Sequence, residues 1–276
     1  MTVISSLQFE RGDHKDVSQI LRTYVDRTEY LSACNYIQQL TQRRGSSYIV
    51  AANVHVVMLA YWRSDYRCAL ERSALVVPDG MPLVLGMRWL GAHDQSRVYG
   101  PDLMLAWCQR ATEINQSIYL YGSTPETLQR LSTNLRETFP TLKIAGAHSP
   151  PFRPLTLQEE AADVERINQS GASVVFVGLG CPKQEEWMHR NVGKLNAVMI
   201  GVGAAFKFHS GEVKQAPRWM MRLSLEWLYR LLKEPRRLWA RYLFTNTAFI
   251  VLFAAQLGKY RLNRLTQNVR AANNAS

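Results

Sequence analysis

The chain predicts an α/β fold: a Rossmann-like, mostly parallel sheet with helices on both faces, followed by a basic amphipathic helical appendage. Three observations carry that expectation. From about residue 48 onward, short β-branched apolar runs alternate with helix-length amphipathic stretches, the pattern of successive βα units. Two of those runs, residues 173–177 and 196–200, pass straight into the glycine turns Gly178-Leu-Gly180 and Gly201-Val-Gly203, as buried parallel strands do at their carboxyl ends. The last quarter differs in kind, with thirteen Lys and Arg against three Glu from residue 207 on, a net of +10 out of +11 for the chain.

In order, the first thirty residues are the least regular. A polar stretch at residues 10–16 precedes an expected short helix over 17–25, and a second helix is expected from Ser32, where a serine cap precedes Tyr36, Ile37 and Leu40 at helical spacing. Residues 48–52 then predict a strand, 55–61 a helix, 75–77 a strand, and 82–90 and 101–112 helices. Residues 117–121 predict a strand, 125–137 a helix, 142–145 a strand and 157–169 a helix, ahead of the two glycine-ended strands. Prolines 82, 101, 125 and 182 fall where helices begin, where a missing N–H costs nothing. The expected organisation is a helical or irregular segment 1–47, an α/β core 48–216 and an appendage 217–276.

At 276 residues and 47% hydrophobic content, the chain can bury a full core. Its four cysteines, Cys34, Cys68, Cys108 and Cys181, lie far apart in apolar or helical stretches, which predicts free thiols and a reducing compartment. The amino terminus lacks a charged segment followed by an apolar one, so no secretion signal is expected and the cytoplasm is the default. No Asp-X-Asp, His-Glu-X-X-His or Cys/His cluster is present; neither a protein-held metal nor another cofactor is expected.

If the sheet is parallel, Asn53, Asp79, Gly122, Gly178 and Gly201 all emerge on its carboxyl edge, where α/β proteins assemble sites. Asp79 is the candidate base. Its bland alternative is a turn aspartate capping the helix at Pro82, and the local sequence leaves both open. The glycine turns likewise have two readings. Gly178, Gly180, Gly201 and Gly203 admit an anionic ligand to the backbone, a nucleotide diphosphate being the natural guess, or they are only tight turns. The third glycine of a dinucleotide fingerprint is missing, which counts against a nicotinamide cofactor. Asp102 reads as compensation of a helix dipole. His93, His148 and His189 have no metal-ligand spacing.

Taken together, six ordered motifs resemble the WecG/TagA/CpsF glycosyltransferase family: Asn53-Val-His-Val-Val, Val77-Pro-Asp-Gly-Met-Pro-Leu, Arg97-Val-Tyr-Gly-Pro-Asp-Leu, Gly178-Leu-Gly-Cys-Pro-Lys-Gln-Glu, Gly201-Val-Gly-Ala-Ala-Phe, and Leu225-Glu-Trp-Leu-Tyr-Arg with Glu234-Pro-Arg-Arg. The resemblance spans residues 48–243. It implies a metal-independent inverting transfer of a hexosyl group, N-acetylmannosamine or a related sugar, from a UDP-sugar donor to a polyprenyl-diphosphate-linked acceptor at the inner face of a bacterial membrane. A glucosyltransferase of exopolysaccharide synthesis is the neighbouring alternative. Asp79 matches the family's proposed base. Asn53 is expected to orient acceptor or sugar, while Gly122, Ser123, Gly178, Gly180, Lys183, Gln184, Gly201, Gly203, Ala204, Phe206 and Lys207 are expected around the nucleotide and diphosphate. Two positions depart from the family pattern. Ala51 stands where many relatives have Thr, and Lys207 where Asp is usual, which points to altered donor specificity, a phosphate contact by Lys207, or a lipid-docked scaffold without catalysis.

In the tail, Arg218, Arg222, Arg230 and Lys233 fall within about 120° on one helix drawn over 217–233, opposite Met220, Trp227, Leu228, Leu231 and Leu232. Pro235 restarts the pattern. Residues 243–257 are apolar, but fifteen residues are too few to cross a ~30 Å hydrocarbon core, so the tail is expected to lie in the interface of an anionic membrane. Arg218, Arg222, Arg230, Arg236, Arg237 and Arg241 are expected to meet lipid or the acceptor diphosphate. An amphipathic helix packed on its own domain or in a homo-oligomer is the bland alternative. A nucleic-acid-binding protein is disfavoured because the basic residues alternate with bulky aliphatics and no aromatic RNA-binding strand appears.

Overall fold

The computed structural model describes residues 16–43 and 45–274. Its centre is a six-stranded sheet made of β3 (Ser47–Ala52), β4 (Leu75–Pro78), β5 (Ser117–Gly122), β6 (Lys143–His148), β7 (Val174–Gly178) and β8 (Val198–Gly201). The spatial order is β4-β3-β8-β7-β5-β6, and every pairing is parallel. The central strands are buried on both faces, which is why they read as unbroken apolar runs such as Val174-Val-Phe-Val.

Helices cover both faces. On one side lie α2 (Val54–Trp62), α3 (Ser64–Glu71), α4 (Met81–Trp89), α7 (Leu157–Gln169) and α8 (Lys183–Asn191), packed with Tyr48, Val50, Val175 and Met199 of the sheet. The other side holds α1 (Tyr30–Gln42), α5 (Gly100–Glu113), α6 (Pro125–Thr138) and α9 (Ala205–His209), over Ile49, Ile118, Phe176 and Ile200. The expected α/β fold is borne out from residue 47 to 209, with α3 and α9 added.

The amino-terminal expectations change. The stretch 10–15 lies outside the described residues. No helix forms over 17–25; instead β1 (Val17–Ile20) and β2 (Thr23–Asp26) make an antiparallel hairpin in which Ile20 faces Thr23. The four-residue strands bury Ile20, Thr23 and Val25 while Gln19 and Tyr24 face outward. Leu21, at φ 54°, takes the left-handed conformation of the two-residue turn. The Val76 amide donates to Asp26 Oδ2 at 2.7 Å, so the hairpin occupies part of the exposed edge of β4. Helix α1 begins at Tyr30 with Glu29 at the cap position, so Ser32 is not its cap. The Tyr30 hydroxyl instead accepts from the Tyr99 amide at 3.0 Å, holding that first turn against the start of α5.

The appendage is three helices: α10 (Arg218–Arg222), α11 (Glu226–Lys233) and α12 (Pro235–Asn274). The single amphipathic helix expected over 217–233 is broken. Ser224 adopts φ 62°, and the Leu225 amide turns back to the Met220 carbonyl at 2.8 Å, closing α10 as a left-handed cap does. The stripe from Arg218 to Lys233 therefore does not share one face. Pro235 does restart the helix. The forty residues of α12 are about 60 Å long. Within it, Leu238–Gln267 is long and apolar enough to cross a membrane by length and composition, so the fifteen-residue limit does not apply. One face is committed to the body, however. Phe249 and Phe253 are buried, with the Phe253 ring where a Cβ on Gly86 would sit at 3.0 Å, and Gln256 bonds both Leu21 N–H and the Gln19 carbonyl.

Candidate active site

Strand β4 ends in Pro78, and Asp79 follows on the carboxyl edge of the sheet. The capping alternative for Asp79 is not what forms: Gly80 is the N-cap of α4, with no side-chain cap bond. The carboxylate turns the other way, and its Oδ1 accepts the Gly100 amide at 2.7 Å, the first residue of fourteen-residue α5. A helix amino terminus thus faces the carboxylate. Asn53, at the end of β3, caps α2 by accepting from His55 and Val56 amides at 3.0 and 3.3 Å. Gly80 lies against it, since a Cβ there would stand 3.1 Å from Asn53 Cβ.

Arg97 binds this corner together. Its Nε donates to the Asp79 carbonyl, its Nη2 donates to Glu226 Oε2 of α11 at 2.8 Å, and its guanidinium lies 4.0 Å from the Tyr99 ring centre. The Tyr99 hydroxyl donates to Glu226 Oε1 at 3.1 Å. Burial pushes the Asp79 carboxyl above the ordinary range; Arg97, the Gly100 amide and Asn53 oppose that, and Glu226 reinforces it. Burial acts to lower the Arg97 pKa, but Asp79 and Glu226 more than offset it. Asn53, Asp79, Gly80 and Arg97 line a cleft that α11 and α12 roof with Glu226, Trp227, Arg230, Tyr242 and Asn246.

The glycine turns stand further along the same edge. With neighbouring strands about 4.8 Å apart, the end of β8 is two spacings from Asp79 and that of β5 four, roughly 10 and 19 Å. After β7 the chain turns to the face carrying α8, and after β5 to the face carrying α6, so the paired ends of these strands, Gly178 and Gly122, form a topological switch point. Ser123 (φ 63°) leads to Thr124, which caps α6 by accepting the Thr127 amide at 3.2 Å.

The glycines divide into two kinds. Gly122 is required by contact with backbone, a Cβ lying 2.7 Å from the Gly178 carbonyl carbon. Gly178 makes room for Phe206, itself 1% exposed, and Gly201 for Met188 and Gln184. Gly180 and Gly203 have positive φ and open or nearly open space. Gln184 is buried and ties the two turns, its Oε1 accepting the Gly203 amide at 3.1 Å and its Nε2 donating to Glu185 at 2.7 Å. Lys183 is exposed at the start of α8, and Ala204 is the N-cap of α9. Lys207 pairs with Glu212 at 2.9 Å on the surface.

Arg230 lies in the cleft, in the second turn of α11, whereas Arg218 and Arg236 are exposed; Arg222, Arg237 and Arg241 continue the basic series in sequence along α10 and α12. Among the described residues, no group of three or more His, Cys, Asp or Glu is placed to hold a metal. The four cysteines are thiols, none of them in a disulfide.

Sequence reasoning singled out Asp79 and Asn53 but gave no role to Arg97, Tyr99 or Glu226. All three lie within quoted motifs, which was the available signal. It also passed over Glu185, fully buried beside Tyr66 and Cys181, whose pKa burial pushes up to about 7 against the hydrogen bonds from Gln184 and its neighbours.

Comparison with known proteins gives a consistent result. Residues 18–263 match the model of the glycosyl transferase WecG/TagA/CpsF family. An N-acetylglucosaminyldiphosphoundecaprenol N-acetyl-beta-D-mannosaminyltransferase of Bacillus subtilis (strain 168) is 33% identical over 229 residues, 82% of this chain and 84% of that protein. The protein of the same name from Bacillus spizizenii (strain ATCC 23059 / NRRL B-14472 / W23) is 33% identical over 232 residues, 83% and 86% of the two chains.

The buried Glu185 generates a pH prediction. Its folded pKa lies above its unfolded one, so the folded state binds the proton more tightly and stability falls as pH rises from about 4.5 toward 7. Glu185→Gln should be near neutral for stability at pH 5 and stabilising by roughly 1–3 kcal/mol at pH 8. Denaturant unfolding of both proteins at the two pH values checks this, and a difference independent of pH contradicts it.

Proposed function

Since the chain belongs to the WecG/TagA/CpsF family of glycosyl transferases, we propose that it moves an N-acetylmannosaminyl or related hexosyl group from a UDP-sugar to a polyprenyl-diphosphate-linked sugar at a membrane surface. The observation that carries the catalytic reading is Asp79, a desolvated carboxylate at the carboxyl edge of the sheet, held by the Gly100 amide and lining a cleft. An inverting transfer needs one base. Asp79 takes the proton of the acceptor hydroxyl as that oxygen attacks the anomeric carbon, and the UDP leaves from the opposite face of the sugar. A raised pKa makes the carboxylate a stronger base than an ordinary aspartate.

The donor reading rests on the switch point between β5 and β7. The nucleotide occupies that crevice and its diphosphate reaches along the edge past Gly180 and Gly203, whose amides remain approachable, toward Asn53 and Asp79. Gln184 acts by fixing the two turns to one another, and Phe206 by packing beneath them. No step needs a metal ligand; the backbone amides of the turns at Gly180 and Gly203 meet the departing charge. Lys207, which reverses the charge usual at that position of the family pattern, is paired with Glu212 on the surface, so the local charge is neutralised.

Membrane contact rests on α12. Phe244, Val251 and Leu262 recur on a face roughly opposite the buried Phe249 and Phe253, and all three are more than 60% exposed. That face, bordered by Trp239 and the appendage arginines, lies in the interface of an anionic leaflet while the other face holds the body. The roofed cleft then opens toward lipid-borne acceptors. The division at residue 217 separates the membrane-binding part from the α/β core.

Asp79→Asn should keep the fold and donor affinity and lower turnover by ~10²-fold or more. Release of UDP in the presence of a short-chain lipid-diphosphate sugar checks it, and turnover within a few-fold of wild type removes Asp79 from the mechanism. Replacing Phe244 and Val251 together by Asp should abolish flotation with anionic vesicles while leaving thermal unfolding unchanged; undiminished flotation would place the contact elsewhere.

A further inference from the structure

Among the described residues, Glu226 is the one acidic side chain that the appendage places in the cleft. It stands 129 residues from Arg97 in sequence, yet both charged groups are only 16% exposed and 2.8 Å apart. Its two oxygens are both used, one by Arg97 Nη2 and the other by the Tyr99 hydroxyl. Those donors bracket the turn 97–100. The turn in turn grips the aspartate from two sides, through Arg97 Nε on the Asp79 carbonyl and the Gly100 amide on Asp79 Oδ1, and the Val98 amide anchors it to the Pro78 carbonyl at 3.0 Å.

We infer that Glu226 is a positioning residue for the transfer: an appendage carboxylate that fixes the 97–100 turn and so sets the place and charge environment of Asp79. The inference rests on the reading of Asp79 as the base. It gives the appendage a part in the chemistry that is separate from membrane contact, because α11 supplies the carboxylate while α12 carries the lipid-facing apolar face. Without Glu226, Arg97 would keep one bond to the Asp79 carbonyl and lose the partner that orients its plane, and Tyr99 would lose the acceptor for a buried hydroxyl. Misplacement of a reacting group by about 1 Å costs on the order of 100-fold in rate, so a small shift of this turn is enough to be read in turnover.

The charged and titratable groups facing Asp79 or lining its cleft are Arg97 and Tyr99 from the turn, Glu226 and Arg230 from α11, Tyr242 from α12, Tyr30 from α1 and His55 from α2. Glu226→Gln changes only one of these charges. Its carboxylate works to raise the Asp79 pKa, so its loss moves the acid limb of turnover to lower pH.

The test uses the full chain, a UDP-sugar and a water-soluble short-chain lipid-diphosphate acceptor, with wild type, D79N, E226Q and E226D side by side. The expected result is that E226Q loses about 10- to 100-fold in kcat, keeps its donor KM and its binding to anionic vesicles, and shows the acid limb displaced downward. E226D, which keeps the charge, recovers part of kcat and the wild-type limb. Wild-type kcat and pH profile in E226Q overturn the inference, as does a loss confined to vesicle binding, which makes Glu226 a docking contact. If D79N also turns over like wild type, the reading of the base fails instead, and the two failures are told apart. Should E226Q not fold, Tyr99→Phe removes one of the two bonds and no charge. A reduced kcat with an unmoved acid limb is then expected, and an unchanged kcat overturns the proposal.

Discussion

A sheet whose strands all run one way separates stability from chemistry along a single axis. The interior of each strand here is apolar on both faces and carries the fold, while every carboxyl end arrives at one edge, where the backbone must leave the sheet. Asp79, Asn53, the Gly201–Gly203 turn, the Gly178–Gly180 turn and Gly122 are therefore neighbours in that order, although 69 residues separate Asp79 from His148 at the far strand end and nearly a hundred separate it from Gly178. The order also gives the edge a direction. Asp79, the proposed base, stands near one end, and the switch point between β7 and β5 stands toward the other, so an extended ligand lying along the edge has its two ends in chemically different places.

Charge is arranged to suit that geometry. Asp79 is desolvated but stays within reach of a helix amide and of Arg97, so it is raised in pKa without being left unpaired. Arg97 shares itself between the Asp79 carbonyl and Glu226, and the strength of both contacts depends on the appendage roofing the cleft and keeping water out. The appendage is in turn held by apolar packing of Phe253 against Gly86 and by hydrogen bonds of Gln256 to the β1–β2 hairpin. The β1–β2 hairpin, the last long helix and the corner around Asp79 are thus linked through packing, hydrogen bonds and one partly buried ion pair.

Much of this was legible in the sequence, for a physical reason. Parallel strands buried on both faces are unbroken β-branched runs, and their glycine ends and the helix-starting prolines mark boundaries within a residue or two, as at β5, α6 and α7. The hairpin was not legible because strands of four residues place Val17 and Ile20 three apart, a spacing that a helix also produces. The break at Ser224 carries no local mark, since serine seldom adopts positive φ and only packing of the two short helices selects it. At the candidate site, the sequence pointed to residues that their own strand ends bring to the cleft, Asn53 and Asp79. It did not point to those whose role depends on a partner more than a hundred residues away, Arg97 and Glu226. Glycine is ambiguous by nature: nothing in the sequence separates Gly178, which yields space to Phe206, from Gly180, which leaves it open.

The central claim is that the carboxyl edge binds an extended nucleotide sugar with its leaving group at the switch point and its reacting carbon toward Asp79. A crystal structure of the full chain with UDP tests it most directly. The account requires the nucleotide in the crevice between Gly122 and Gly178, with its diphosphate against the turns at Gly180 and Gly203 and its free end pointing along β8 and β3. UDP bound with its diphosphate on the appendage arginines and its base away from the β5–β7 edge would contradict it.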